Sequence, residues 1–223
     1  MKLSQYHIKA VLFDLDGTLV DTLEDLAAAV NTMLTSLGRL PLEVTAIKHL
    51  IGGGARNLVQ RALNSDSTED VEHGLNLLLE YNTRNIAVKS RLYPGARELL
   101  EKLASLGIIM AIISNKNESL CRILLETLDV EQYFSIICGG DTFPELKPSP
   151  TPLLHVIKHL GLTPDQVVMV GDSINDIAAG NRARITTIGC KWGFGETEEL
   201  INATYRVSSC REIGELIDKL ELE

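Results

Sequence analysis

Two carboxylates, Asp14 and Asp16, stand two residues apart where a first apolar run, residues 8–15, gives way to a turn at Gly17 and Thr18. If the apolar run is a buried strand, the turn delivers both carboxylates to the carboxyl edge of a sheet, where open α/β folds place their chemistry. Asp, Gly and Thr are also common in ordinary turns. The alternative is therefore a turn without chemistry, and the rest of the chain decides between the two.

Three later segments carry polar residues at the ends of predicted strands or before helices. In IIMAIISNKNESL, Ser114 and Asn115 precede a helix start, so they offer a hydroxyl and free backbone N–H groups to an anion. Lys147 lies in the proline-rich turn ELKPSP, and VVMVGDSINDIAAG sets Asp172 and Asp176 four residues apart over a helix start. Taken singly, each is explained as a helix cap or a solvated charge.

Taken together, these side chains are expected to meet, because parallel strands bring their carboxyl ends to one edge of a sheet. The converging set is Asp14, Asp16, Ser114, Lys147, Asp172 and Asp176. Four neighbouring carboxylates repel one another unless a cation joins them, and oxygen ligands beside a phosphate favour Mg²⁺. One carboxylate facing a metal-held phosphorus could attack it, and a second could transfer the proton.

The elements that must position this set are predicted from apolar runs separated by helical patterns, which indicates a mostly parallel, Rossmann-like α/β sheet with helices on both faces. The predicted strands are 8–15, 108–113, 135–138, 167–170 and 185–188. The interval between the first two is too long for one crossover helix, and its apolar positions follow helical spacing. We therefore expect a small helical module inserted in the core, with residues 20–91 forming a cap and residues 1–19 and 92–223 the catalytic core.

Composition excludes several classes of function. A chain of 223 residues with 45% hydrophobic residues suits a core domain with an insert. The net charge of −9 argues against binding to nucleic acid or anionic membranes. No apolar stretch is long enough to cross a bilayer, so a cytoplasmic protein is expected. The four cysteines form no C-x-x-C pair, which indicates reduced thiols at apolar positions.

The four motifs DLDGTLVDT, IISN, LKPSP and GDSINDIAAG resemble, in this order, those of the haloacid dehalogenase-like hydrolase superfamily. The resemblance spans nearly the whole chain and implies a cap after the first motif. It implies that Asp14 is the nucleophile that forms an aspartyl-phosphate and that Asp16 is the general acid and base. Ser114 and Lys147 would hold the phosphoryl group. The implied Mg²⁺ ligands are Asp14, Asp172 and the backbone carbonyl of Asp16, and Asp176 would bind the ion either directly or through one of its other ligands.

Cap residues are expected to select the leaving group. The glycines of HLIGGGARNLVQRAL precede a helix, so Gly53 and Gly54 with Arg56 could form a small anion site; a flexible turn with a solvated arginine is the alternative. The segment is similar to the cap of phosphoglycolate phosphatases, which implies 2-phosphoglycolate as substrate. Thr18 and Asn115 complete the predicted substrate-binding set.

Other functions stay open at this stage. Sugar-phosphate phosphatases, pyrophosphatases and β-phosphoglucomutase-like phosphomutases share such a core, and a non-catalytic phosphate sensor is a candidate from another class. A sensor is less favoured because phosphorylated receiver domains lack the second carboxylate and the insert. The expected partner is a small phosphate ester, and the chain is expected to be a monomer or a homodimer.

Overall fold

A computed structural model describes residues 7–220, and a parallel sheet forms its centre. The strands are β1 (Ala10–Phe13), β2 (Val20–Asp21), β3 (Arg91–Leu92), β4 (Ile109–Ile113), β5 (Ile136–Cys138), β6 (Val167–Gly171), β7 (Thr186–Cys190) and β8 (Tyr205–Val207). Six of them pair in the order β5-β4-β1-β6-β7-β8, and every pairing is parallel. The predicted α/β fold is confirmed, with β1 near the middle of the sheet.

Strand β1 explains why the sheet is buried on both sides. Its four residues are all fully buried, but they alternate between two apolar clusters: Val11 and Phe13 pack into one, Ala10 and Leu12 into the other. A strand covered on both faces is apolar at every position rather than at alternate ones. The edge strand β8 was not predicted, because its three residues include only one buried position, Val207.

Nine α-helices cover the sheet and form the insert within residues 7–220. They are α1 (Leu23–Ser36), α2 (Val44–Lys48), α3 (Ala55–Leu63), α4 (Thr68–Arg84), α5 (Ala96–Ser105), α6 (Glu118–Thr127), α7 (Thr151–His159), α8 (Ile174–Ala183) and α9 (Cys210–Leu220). One apolar cluster holds residues of α5, α6 and α9, and the other holds residues of α7 and α8, so both faces are covered as expected. None of these helices combines the length and apolar character needed to span a bilayer.

Helices α1 to α4 form a helical insert with an apolar cluster of its own, to which Met33, Ile47, Val59 and Leu78 belong. The predicted helical character of this region agrees with the structure. The pattern did not predict the short antiparallel ribbon of β2 and β3 that joins the insert to the core, because two residues are too few to show an alternation.

A buried carboxylate fastens the ends of the insert to each other. Asp25 in α1 accepts hydrogen bonds from the backbone N–H groups of Lys89 and Ser90 and from the Ser90 hydroxyl, at 2.7–3.1 Å. Several donors to one carboxylate compensate for the cost of burying its charge. The start of α1 and the return segment before β3 are therefore held together.

The cysteines are structural, as predicted. All four are buried and none forms a disulfide: Cys121, Cys138, Cys190 and Cys210. Burial raises the pKa of the Cys138 thiol to about 11 and that of Cys210 to about 11. Thiols with raised pKa values are poor nucleophiles, so these side chains serve packing.

Candidate active site

The carboxyl ends of β1, β4 and β6 bring together residues from three distant parts of the chain. Asp14 follows β1, Ser114 follows β4 and Asp172 follows β6, and β1 pairs with both other strands. The backbone N–H of Asp14 donates to the Val170 carbonyl at 2.9 Å, which extends the pairing of β1 with β6 to the site. This is the convergence that the strand-edge argument predicts.

Lys147 joins two carboxylates at the centre of the site. Its Nζ lies 3.0 Å from Asp14 Oδ1 and 2.6 Å from Asp176 Oδ1, and its side chain is almost completely buried. Burial acts to lower the pKa of Lys147, but the charges of Asp14 and Asp176 outweigh it and raise that pKa. Lys147 is therefore a permanent cation beside Asp14.

Asp172 is held by donors from two different loops. Thr18 Oγ1 donates to its Oδ1 at 2.8 Å, and the backbone N–H groups of Phe194 and Gly195 donate to its Oδ2 at 2.6 and 3.3 Å. The turn must approach closely: Gly17 has φ +85°, and a Cβ there would lie 2.5 Å from Asp172 Oδ2. Only glycine fits this position.

Three carboxylates form a cluster suited to a divalent cation. One oxygen from each of Asp14, Asp172 and Asp176 lies within 4.8 Å of the other two. Asp14 Oδ1 is buried without a hydrogen bond, although Lys147 lies beside it. Burial raises the pKa of Asp14 to about 6. The pKa of Asp172 is raised to about 7 by burial together with the negative charges of Asp176 and Asp14. The three carboxylates carry more negative charge than Lys147 alone neutralises, so the cluster suits a hard cation such as Mg²⁺.

The carboxylate of Asp16 lies outside this cluster because two other side chains hold it. Lys116 Nζ is 3.3 and 3.2 Å from its two oxygens, and Thr22 Oγ1 donates to Oδ1 at 2.8 Å. Lys116 is 9% exposed and was not predicted as a site residue. Its position two residues after Ser114, between an apolar strand and a helix, was the available signal.

Asn115, in the loop after β4, connects that loop to Lys147 and to the insert. Its Nδ2 donates to the carbonyl groups of Gly52 and Lys147, both at 2.9 Å, and its Oδ1 accepts from the Lys147 N–H at 3.0 Å. The Gly52 carbonyl also accepts from Asn175 Nδ2 at 3.1 Å. The side chain of Asn115 is thus occupied by protein partners, and only its backbone remains for a substrate.

Two cavities meet at the carboxylates, between the insert and the core. The first, the leucine-lined cavity, has a volume of about 60 Å³. Its lining includes Asp14, Asp16, Leu26, Gly54, Leu58, Leu78, Asn82, Ser114, Lys116, Leu120 and Lys147. The second, the polar crevice, has about 340 Å³. It is bordered by Lys48, His49, Gly53, Asn57, Arg61, Asp172, Glu196 and Glu199.

Some predicted substrate-binding residues lie elsewhere or act differently. Thr18 is 1% exposed, lines neither cavity, and is committed to Asp172. Arg56 also lines neither cavity and pairs with Glu72 at the surface, because the α3 turn directs it away from the carboxylates. Gly54 borders the leucine-lined cavity and Gly53 only the polar crevice, so the glycines are divided between two spaces rather than forming one anion site with Arg56.

Comparisons with known proteins agree with this geometry. The sequence profile described as haloacid dehalogenase-like hydrolase matches residues 11–190. A phosphoglycolate phosphatase of Chromobacterium violaceum is 40% identical over 216 residues, 95% of this chain and 97% of that protein. One from Neisseria meningitidis is 43% identical over 195 residues, 85% and 83% of the two chains. The crystal structure of a predicted phosphoglycolate phosphatase from Haemophilus somnus superimposes with a TM-score of 0.90 at 29% identity, covering 95% and 99%.

Proposed function

Because the chain belongs to the haloacid dehalogenase-like hydrolase family, we propose that it is an Mg²⁺-dependent phosphatase that hydrolyses 2-phosphoglycolate through an aspartyl-phosphate. The observation that carries the proposal is the buried Asp14–Lys147–Asp176 arrangement at the edge of the leucine-lined cavity. The names of the relatives from Chromobacterium and Neisseria support the choice of substrate.

Asp14 is the proposed nucleophile. Lys147, 3.0 Å away, favours its ionised form, and Asp172 and Asp176 complete the set that would hold the metal ion with Asp14. Bound Mg²⁺ would offset the charge of the phosphoryl group as the carboxylate approaches. Ser114 and Lys147 would bind phosphoryl oxygens, since both line the cavity beside Asp14.

Asp16 is the proposed general acid and base. Its carboxylate is held by Lys116 and Thr22 apart from the metal-binding cluster, so any contribution to the metal site would come from its backbone carbonyl. In the first step Asp16 donates a proton to the leaving oxygen as the P–O bond breaks and the Asp14–phosphorus bond forms. In the second it takes a proton from water, which attacks phosphorus and releases phosphate and Asp14.

We propose that residues 20–91 act as a cap, with segments 20–22 and 89–93 as hinges. The β2–β3 ribbon and the contacts of Asp25 at both ends of the insert support this division. Closure brings the apolar side chains of the insert over the carboxylates, which would exclude water from the reaction. We place the enzyme in the cytoplasm, in keeping with its acidic composition.

The size and charge of the leucine-lined cavity favour 2-phosphoglycolate over sugar phosphates. A cavity of 150 Å³ accepts benzene, so in proportion about 60 Å³ accommodates roughly two or three non-hydrogen atoms, which favours a small leaving group. Lys116 borders that space and supplies a cation to a carboxylate. The leaving group of a hexose phosphate is larger than this cavity.

The test is phosphate release from 2-phosphoglycolate, sugar phosphates and pyrophosphate, with Mg²⁺ or EDTA. We expect release from 2-phosphoglycolate that requires the metal and falls by at least about 10³-fold in Asp14→Asn, because the nucleophile is removed. Asp129→Asn is the matched control: Asp129 is exposed with φ +54°, which asparagine tolerates, and should retain full activity.

Three results would contradict the proposal. Release that survives EDTA or the Asp14→Asn substitution would remove the metal or the nucleophile from the mechanism. Isomerised sugar phosphate without net phosphate release would identify a phosphomutase. Binding of phosphate esters without turnover would identify a sensor.

A further inference from the structure

Asn82 is a buried amide that faces the leucine-lined cavity without a partner. It lies on α4 one turn after Leu78, on the buried face of that helix, and it is 3% exposed. Its side chain makes no hydrogen bond within residues 7–220, yet Asn82 lines the cavity. Asp14 Oδ1 is the only fully enclosed side-chain oxygen or nitrogen without a partner in that range, so the Asn82 amide keeps access to the cavity.

A polar side chain that is only 3% exposed and has no partner in the protein is uncommon, because burying an amide without a hydrogen bond costs free energy. Water could supply that partner, but the same site is where the leaving group of a phosphate ester must lie, beside Asp14 and Asp16. An amide provides two N–H donors and one acceptor, and so can bind a carboxylate or a hydroxyl.

The rest of the insert offers this cavity no other polar side chain. Its other contributions to the lining are Leu26, Ile51, Gly52, Gly54, Ala55, Leu58 and Leu78. From the core, Lys116 borders the same space. A leaving group that fits must therefore be short, must pack against leucines, and must place its polar end where Asn82 and Lys116 can bind it.

We propose that Asn82 is the residue through which the insert selects the leaving group. The substrate is the phosphate ester of a short 2-hydroxy acid, and Asn82 Nδ2 donates a hydrogen bond to its carboxylate. Lys116 supplies the positive charge that the carboxylate needs. The inference rests on the proposed phosphatase function and adds a residue of the insert to it. A hydrogen-bonding site discriminates strongly against analogues that lack the matching group, since its buried polar atoms are then left unpaired.

The test compares 2-phosphoglycolate with ethyl phosphate, which has the same two-carbon length but no carboxylate. In Asn82→Leu we expect kcat/KM for 2-phosphoglycolate to fall about tenfold or more, mainly through KM, and that for ethyl phosphate to change less than about threefold. Asn82→Asp, of nearly the same shape, should lose still more on 2-phosphoglycolate because two carboxylates repel. Comparing variants within each substrate removes the difference in leaving-group reactivity.

The control is Asn76→Leu, the same substitution at an exposed position of the same helix α4, which lines neither cavity. Equal losses on both esters in the Asn82 variants would indicate a structural role and overturn the assignment, as would unchanged kinetics on both. A wild-type protein that hydrolyses neither ester would overturn the proposed function, and this inference with it. Wild-type activity with parallel changes in the variants would overturn this inference alone.

Discussion

At the scale of single residues, the site is organised by side chains that hold the reacting carboxylates. Two threonines each hold one carboxylate: the Thr18 hydroxyl donates a hydrogen bond to Asp172 and the Thr22 hydroxyl donates one to Asp16, both at 2.8 Å. Thr18 was predicted to bind substrate, and the structure shows it committed to a carboxylate instead. The consequence is that Thr18 should affect metal affinity, and Thr22 the proton transfer.

Thr18→Val tests this division because valine has nearly the same shape but lacks the hydroxyl. We expect Asp172 to lose orientation, so that half-maximal activity requires about tenfold more Mg²⁺ while activity at saturating Mg²⁺ is largely restored. Thr22→Val is the matched variant and should lower the maximal rate at every Mg²⁺ concentration. A Mg²⁺ titration of both decides the matter, and identical curves would contradict the assignment.

Lys116 shows why a sequence pattern does not identify every site residue. A lysine between a strand and a helix is usually solvated. Here Lys116 is nearly buried because its ammonium group forms an ion pair with the carboxylate of Asp16, a hundred residues earlier in the chain. The pairing depends on β1 and β4 being neighbours, which the residue type does not encode.

At the scale of elements, the glycine segment before α3 is fastened to one loop and one helix of the core. The Gly52 carbonyl accepts from Asn115 after β4 and from Asn175 in α8. Asn115 also forms hydrogen bonds with both the backbone carbonyl and the backbone N–H of Lys147. Docking of the insert and placement of Lys147 are therefore linked through one amide.

Asn175→Ala removes one of the two donors to Gly52. A hydrogen bond of this kind contributes about 1 kcal/mol, so amide hydrogen exchange in residues 50–55 should become about fivefold faster, and kcat/KM should fall, while exchange in β1 and β6 is unchanged. Asn181→Ala is the control, because Asn181 lies on the same helix but donates to Asn202 instead. Equal exchange in residues 50–55 of the wild type and Asn175→Ala would refute the link.

At the scale of the whole molecule, the carboxylate cluster makes the metal-free protein less stable than it could be. Burial and mutual repulsion raise the pKa values of Asp14 and Asp172. At neutral pH the unfolded chain carries these charges at less cost than the folded protein does. A cation bound only by the folded state should therefore stabilise it.

We expect saturating Mg²⁺ to raise Tm by about 5–10 °C relative to EDTA, from about 2.7 kcal/mol at a hundredfold excess over Kd and 2–4 °C per kcal/mol. Asp172→Asn should abolish most of this shift without lowering Tm in EDTA, since it removes one repelling charge. Asp129→Asn should keep the full shift. Calorimetry with both variants checks this, and a shift equal in all three proteins would locate the metal elsewhere.

Local patterns in the amino-acid sequence were enough to predict the α/β class, a helical insert and the edge at which Asp14, Ser114 and Asp172 meet. They were enough because apolar runs make buried strands, and polar residues directly after parallel strands share one edge. The motif spacing also identified Lys147 and Asp176 as members of the set.

The tertiary structure alone decided which partner each polar group has. It directed Arg56 to the surface, assigned Thr18 to Asp172, buried Lys116 against Asp16 and left the Asn82 amide unpaired in the cavity. These outcomes depend on contacts between segments far apart in sequence. A hydrogen bond or an ion pair is set by distance and direction within a few tenths of an ångström, and these are defined only when the elements pack together.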